Sequence, residues 1–154
     1  MEQTLTRVDQ WEQKLEAFFM QRVYMPFGWG TNDCCSFAFD SIEAITGVDI
    51  GGWFRDKYTD REEAFDLLTA YSGGSVVETW DKLAEEYGLE EIPIEEIQAG
   101  DVVTMKIQAL DPIAAELSNG VSIGIKSFKE GFFSPGKHHL AMAMDPEIIK
   151  AWRV

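Results

Sequence analysis

Histidine and cysteine are nearly missing from this 154-residue chain, which carries two of each, and in both cases the two are neighbours: Cys34-Cys35 and His138-His139. Adjacent cysteines do not make the disulfide framework of a small secreted domain. One adjacent pair of each type is also a poor match to the spaced ligands of a zinc site, so neither a metal nor a cofactor is expected. Basic residues are scarce too, 13 against 27 acidic ones, for a formal net charge of −14. A field of that sign repels phosphate backbones and anionic headgroups, which argues against nucleic acid as a partner. No apolar run approaches the ~18–20 residues that cross a bilayer, and Met1-Glu2-Gln3-Thr4 has no signal-peptide pattern. The expectation is a chain made in the cytoplasm and not inserted into a membrane.

Hydrophobic residues make up 45% of the chain and aromatics 12%, which is enough for a packed core. The length fits one domain over 1–154. Much of the acidic surplus sits in doublets, Glu62-Glu63, Glu85-Glu86, Glu90-Glu91 and Glu95-Glu96. They read as solvated helix faces and linkers, or as a docking surface for a basic partner. Trp11, Leu15, Phe18 and Phe19 fall on one helical stripe, predicting a helix from Asp9 to about Val23 with Asp9 as N-cap. A second helix opens near Asp33 and stops at Gly47. Asp60-Arg61-Glu62-Glu63 and Ser75-Val76-Val77-Glu78 are capping-box patterns and predict two more, ending near Tyr71 and at Gly88.

The last third changes period. Asp101–Ile107 and Gly120–Ile125 read as strands, Gly131–Ser134 and Leu140–Met144 as shorter ones, and Ala151–Val154 as a terminal strand. Asp145-Pro146 suggests a helical turn. Helices followed by a run of strands predict an α+β domain whose sheet packs on the helices.

The chemistry concentrates in Pro26-Phe27-Gly28-Trp29-Gly30-Thr31-Asn32-Asp33-Cys34-Cys35. A cysteine in the first turn of a helix meets the positive end of the dipole and unpaired N–H groups, which favour the nucleophilic thiolate. The Cys34 amide also lies where an oxyanion donor is useful. Against this stands the ordinary role of free cysteine as a small buried residue. Periodicity leaves both open, since Cys34 shares a face with Phe37, Ala38 and Ser41, and Cys35 with Ala38, Phe39 and Ile42.

Phe27-Gly28-Trp29-Gly30 followed by Asp33-Cys34, with Gly100-Asp101-Val102-Val103 later, resembles the NlpC-type cell-wall peptidases, a papain-like superfamily. The layout from Trp11 to Ala151-Trp152-Arg153-Val154 more closely resembles an NlpC-like family encoded among phage tail genes. The resemblance spans almost the whole chain. It implies a papain-like NlpC-type domain with N-terminal helices packed on a small antiparallel sheet, and Cys34 at the nucleophile position. Where those peptidases carry the His of a His-Val-Gly-Ile strand, this chain has Ser122-Ile123-Gly124-Ile125, which puts Ser122 at the base position. Ser134 falls at the third polar position.

A serine hydroxyl cannot take a thiol proton near neutral pH or protonate a leaving amine, and imidazole does both. The resemblance therefore implies a virion component of the tail tip or tail assembly, with other phage tail proteins as partners and peptidase activity weak or lost. The alternative it implies is an active cysteine endopeptidase cleaving peptidoglycan stem peptides, with His138 or His139 folding back onto Cys34. A plain cytosolic binding domain is the third reading.

Overall fold

The computed structural model describes residues 5–106 and 120–154. Ile107, the last residue of the first expected strand, lies outside them. The protein is α+β, and among the described residues four α-helices are followed by a six-stranded antiparallel sheet. The helices are α1 (Trp11–Arg22), α2 (Cys34–Thr46), α3 (Arg61–Ser72) and α4 (Val76–Tyr87). The strands are β1 (Glu90–Glu91), β2 (Val102–Lys106), β3 (Val121–Lys126), β4 (Phe132–Pro135), β5 (Leu140–Ala143) and β6 (Glu147–Arg153), in the order β1-β6-β2-β3-β4-β5.

Helix α2 is the hub because its apolar residues surround it. Phe37, Ala38, Phe39, Ile42 and Ile45 are all buried. Phe37 meets Phe18 of α1 at 5.1 Å between ring centroids, and Phe39 meets Trp80 of α4 at 5.4 Å. Its start is fixed by Asp33, whose Oδ1 accepts the Ser36 N–H at 2.8 Å. Its end is fixed by Gly47 in the left-handed region at φ 76°, where glycine carries no Cβ penalty. Asp60 caps α3 in the same way through Glu63 N–H. At α4 the Glu78 carboxylate reaches back to the Ser75 N–H and hydroxyl.

Helix α1 starts one residue later than an N-cap at Asp9 predicts. The N-cap position is held by Gln10 at φ 60°, without a side-chain cap. Asp145-Pro146 starts no helical turn. Asp145 turns at φ 53° and the chain enters β6 at Glu147, four residues before the expected terminal strand.

Side-chain alternation divides the sheet. Val121, Ile123 and Ile125 join the helix-side core with Val102 and Trp152. Val103, Met105, Phe132 and Ala151 form a second apolar cluster. Pairing between β3 and β4 is confined to Ile125–Phe133 and Lys126–Phe132, so the strands part before Val121, Ser122 and Ile123. That separation opens the place where the start of α2 meets the sheet. All eight glutamates of the four acidic doublets are exposed, consistent with solvated faces.

Candidate active site

The loop before α2 is built to hold Asp33 and, with it, the first turn of the helix. Asp33 is 3% exposed, and its carboxylate collects four donors. Besides Ser36 N–H on Oδ1, Oδ2 accepts Gly30 N–H at 2.8 Å, Ser36 Oγ–H at 3.1 Å and Tyr58 O–H at 2.5 Å. Burial and the neighbouring Asp33 charge push the Tyr58 phenol far above its ordinary range, so it stays a donor. Gly30 is required here on two counts. Its φ is 80°, and a Cβ would sit 2.3 Å from the Tyr58 carbonyl oxygen.

Asn32 fixes the rest of the loop. Its Nδ2 donates to the Pro26 and Met25 carbonyls at 3.0 and 3.3 Å, and its Oδ1 accepts Arg22 Nη1 at 3.0 Å. Arg22 also pairs with Asp40 of α2, which pairs in turn with Arg55. The backbone of Phe27 donates to Gly136 O at 3.1 Å and that of Leu140 to Val23 O at 2.9 Å, tying the loop to the β4–β5 hairpin.

Cys34 and Cys35 are half-buried free thiols at the head of α2. The Cys34 thiol is lowered from its ordinary value. The largest cause is hydrogen bonding from the Cys35 thiol, and the Ile123 backbone N–H and Ser122 hydroxyl add to it against burial and the Asp33 charge. Cys35 is raised well above the usual thiol range by its contact with Cys34 and by burial. The pair is thus asymmetric, with the Cys34 thiol lowered and the Cys35 thiol raised. Ile123 N–H can face the sulfur because β3 has no β4 partner at that point.

The structure brings together all three residues singled out from the sequence. Ser122 lies beside Cys34, and Ser122 Oγ is 3.4 Å from Ser134 Oγ. Both serines are more than nine-tenths buried. All three line one cleft of about 950 Å³ between the head of α2, α3 and the sheet. Its helical side is apolar, with Phe39, Phe54, Phe65 and Leu68, and Phe27 and Trp29 of the loop also line it.

His138 and His139 are not brought to the thiol. They stand exposed in the β4–β5 turn and do not line the cleft, and His139 Nδ1 lies 2.9 Å from the Leu140 carbonyl oxygen. Since these are the only histidines of the chain, no imidazole lines the cleft among the described residues. Nor is there a cluster of three or more His, Cys, Asp or Glu able to hold a metal among those residues. None of the described helices is long and apolar enough to cross a membrane.

Sequence reasoning missed Tyr58, which lies 25 positions from the carboxylate it binds and carries no local signal. It also missed how two motif fragments meet. Asp101, fully buried, accepts Arg7 Nη2, Arg153 Nε, Gln98 N–H and Val154 N–H at 2.8–3.1 Å. The Gly-Asp segment and the terminal Ala-Trp-Arg-Val are thus one clamp, and its role is structural.

The chain belongs to the family described as a domain of unknown function (DUF6950), whose model matches residues 6–154. No curated protein matches it.

Proposed function

We propose that this protein is a papain-like NlpC-type domain of a phage tail, acting in the tail tip or in tail assembly, with peptidase chemistry weak or absent. The observation that carries the reading is the surroundings of Cys34: two buried hydroxyls, Ser122 and Ser134, and no imidazole among the described cleft residues. The nucleophile position keeps its helix start, its Asp33 cap and a lowered thiol. Amide cleavage needs more than a thiolate, because the departing amine must receive a proton. General acid–base assistance supplies ~10²–10⁴-fold in rate, and Ser122 cannot provide it near neutral pH.

A domain of this kind keeps the cleft and its peptide-sized apolar wall while losing turnover. That combination suits a role in binding other tail proteins. The net charge of −14 directs the partner search toward protein and away from nucleic acid. The second reading, an active endopeptidase on peptidoglycan stem peptides, is favoured by one observation, the lowered Cys34 thiol.

Purified protein assayed on peptidoglycan stem peptides, beside Cys34→Ala and Ser122→His, separates the two. The proposal expects cleavage near background in the wild type and a gain in Ser122→His. Strong wild-type cleavage abolished by Cys34→Ala would establish the endopeptidase instead.

A further inference from the structure

The two edges of the sheet are guarded unequally. β1 is a pair of exposed glutamates, short and charged, which is how natural sheets discourage pairing with another chain. β5 at the other edge has no such guard. From Gly131 to Met144 the chain holds no acidic residue, although it carries 27 in all. Leu140–Ala143 contains neither a charge nor a proline, and Met142 and Met144 are 41% and 56% exposed.

The hydrogen-bond phase of the β4–β5 hairpin shows what this edge offers. Pro135 stands opposite Leu140 and has no N–H, and Leu140 N–H donates to Val23 O at 2.9 Å. That pair is therefore a non-hydrogen-bonded one. Alternation gives Phe133 and Met142 the same phase, so the Met142 N–H and C=O point away from β4. Among the described residues neither group has a backbone partner. The Val23 contact also brings Tyr24, 89% exposed, to the start of this edge.

The charges at the strand's ends select the occupant. Lys137-His138-His139 precede β5, and Asp145 and Glu147 follow it. Two copies of this segment laid antiparallel exchange those ends, so basic residues of one meet acidic residues of the other on both sides. The acid-free hairpin is also where two chains of net charge −14 approach with least repulsion.

We propose that two copies of this chain join through their β5 edges, antiparallel about a two-fold axis near Ala143. Met142 of each copy then exchanges backbone hydrogen bonds with Met144 of the other, and the thioether side chains meet across the seam. Lys137 and His139 fall beside Glu147 of the second copy. Pro146 of the second copy falls opposite Leu140, whose N–H is already given to Val23. Lys137, Met142 and Met144 also line the cleft, so the second copy extends its wall.

The test is sedimentation velocity of the full chain across micromolar concentrations, which should show a reversible monomer–dimer equilibrium. Met142→Pro removes only an N–H that faces outward, so the fold should persist by circular dichroism. Association should weaken at least ~tenfold, because the two-fold axis removes each lost bond twice. Met142→Lys, which places a charge on the edge without touching the backbone, should do the same. Lys137→Glu should also weaken the dimer, and adding Glu147→Lys should restore it. The second change gives up only an exposed pair with Lys106. A dimer unaffected by both Met142 variants, or a charge reversal without restoration, would overturn the inference. A wild type that stays monomeric would overturn the second copy as occupant and leave the edge to a strand of another protein. None of these readouts depends on Cys34, so the peptidase reading stands or falls separately.

Discussion

Replacing Asp33 by Asn should move stability and reactivity in opposite useful directions. The side chain keeps one oxygen for Ser36 N–H and puts an NH₂ where Oδ2 accepts Gly30 N–H, Ser36 Oγ–H and Tyr58 O–H. The two hydroxyls can rotate and accept. The Gly30 N–H cannot, and it is left buried against another donor. An unsatisfied buried group costs ~1–3 kcal/mol, and hydrogen bonds to a charged acceptor are worth ~1.5–3 kcal/mol each, so a total near ~3 kcal/mol follows after partial rearrangement. For a chain of this size that lowers the melting temperature by ~6–12 °C, measurable by circular dichroism. The Asp33 charge also holds the Cys34 thiol up, so its loss lets the thiol ionise at lower pH. Iodoacetamide should then label Cys34 faster at pH 7 in the folded variant, with Cys35 still the slower thiol. A melting temperature within ~2 °C of wild type, or slower labelling of Cys34, would refute the account of this loop.

Two further predictions concern the frame around the site. Asp101→Ala strands Arg7 and Arg153 and leaves two backbone N–H groups without their acceptor. It should cost ~3–5 kcal/mol in urea unfolding, the usual effect of breaking a buried ion pair from one side, and a loss under ~1 kcal/mol would contradict the clamp. Gly30→Ala places a Cβ against the Tyr58 carbonyl in a left-handed backbone, so it should destabilise the protein and speed proteolysis in the Pro26–Cys34 loop. Unchanged stability in that variant would show that the loop can relax away from Tyr58.

Local chemistry made much of this legible. Asp33, Asp60 and Ser75 mark helix starts because their side chains act within three residues, and Gly47, Gly73 and Gly88 mark ends because left-handed backbone favours glycine. Elements set by distant partners were not legible. β1 is two exposed glutamates whose strand character comes entirely from pairing with Trp152 and Arg153. β6 begins at Glu147 in a pattern that Asp145-Pro146 disguises as a helix start, and its pairing with β2 shifts register between Thr104 and Met105. At the site, the place of Cys34 at the start of a helix was legible from Asp33 as its N-cap, whereas helix position alone did not separate its role from that of Cys35. The parting of β3 and β4, which turns Ile123 N–H toward the sulfur, depends on strand pairing that no short window encodes. The role of Tyr58 is long-range for the same reason.

The central claim is that Cys34 ionises without an imidazole partner, and the pH profile of its alkylation tests this most directly. Rates of iodoacetamide labelling at Cys34 and Cys35, read by mass spectrometry from pH 4 to pH 10, report each thiolate. The account predicts a single rise for Cys34 that comes before that of Cys35, because hydrogen bonding lowers one thiol and raises the other. It also predicts that labelling of Cys34 falls away on the acid side. A thiolate–imidazolium pair behaves differently, holding its thiolate down to a pH of about 3–4. A flat labelling rate at Cys34 extending below pH 5, abolished in His138→Ala or His139→Ala, would contradict the account.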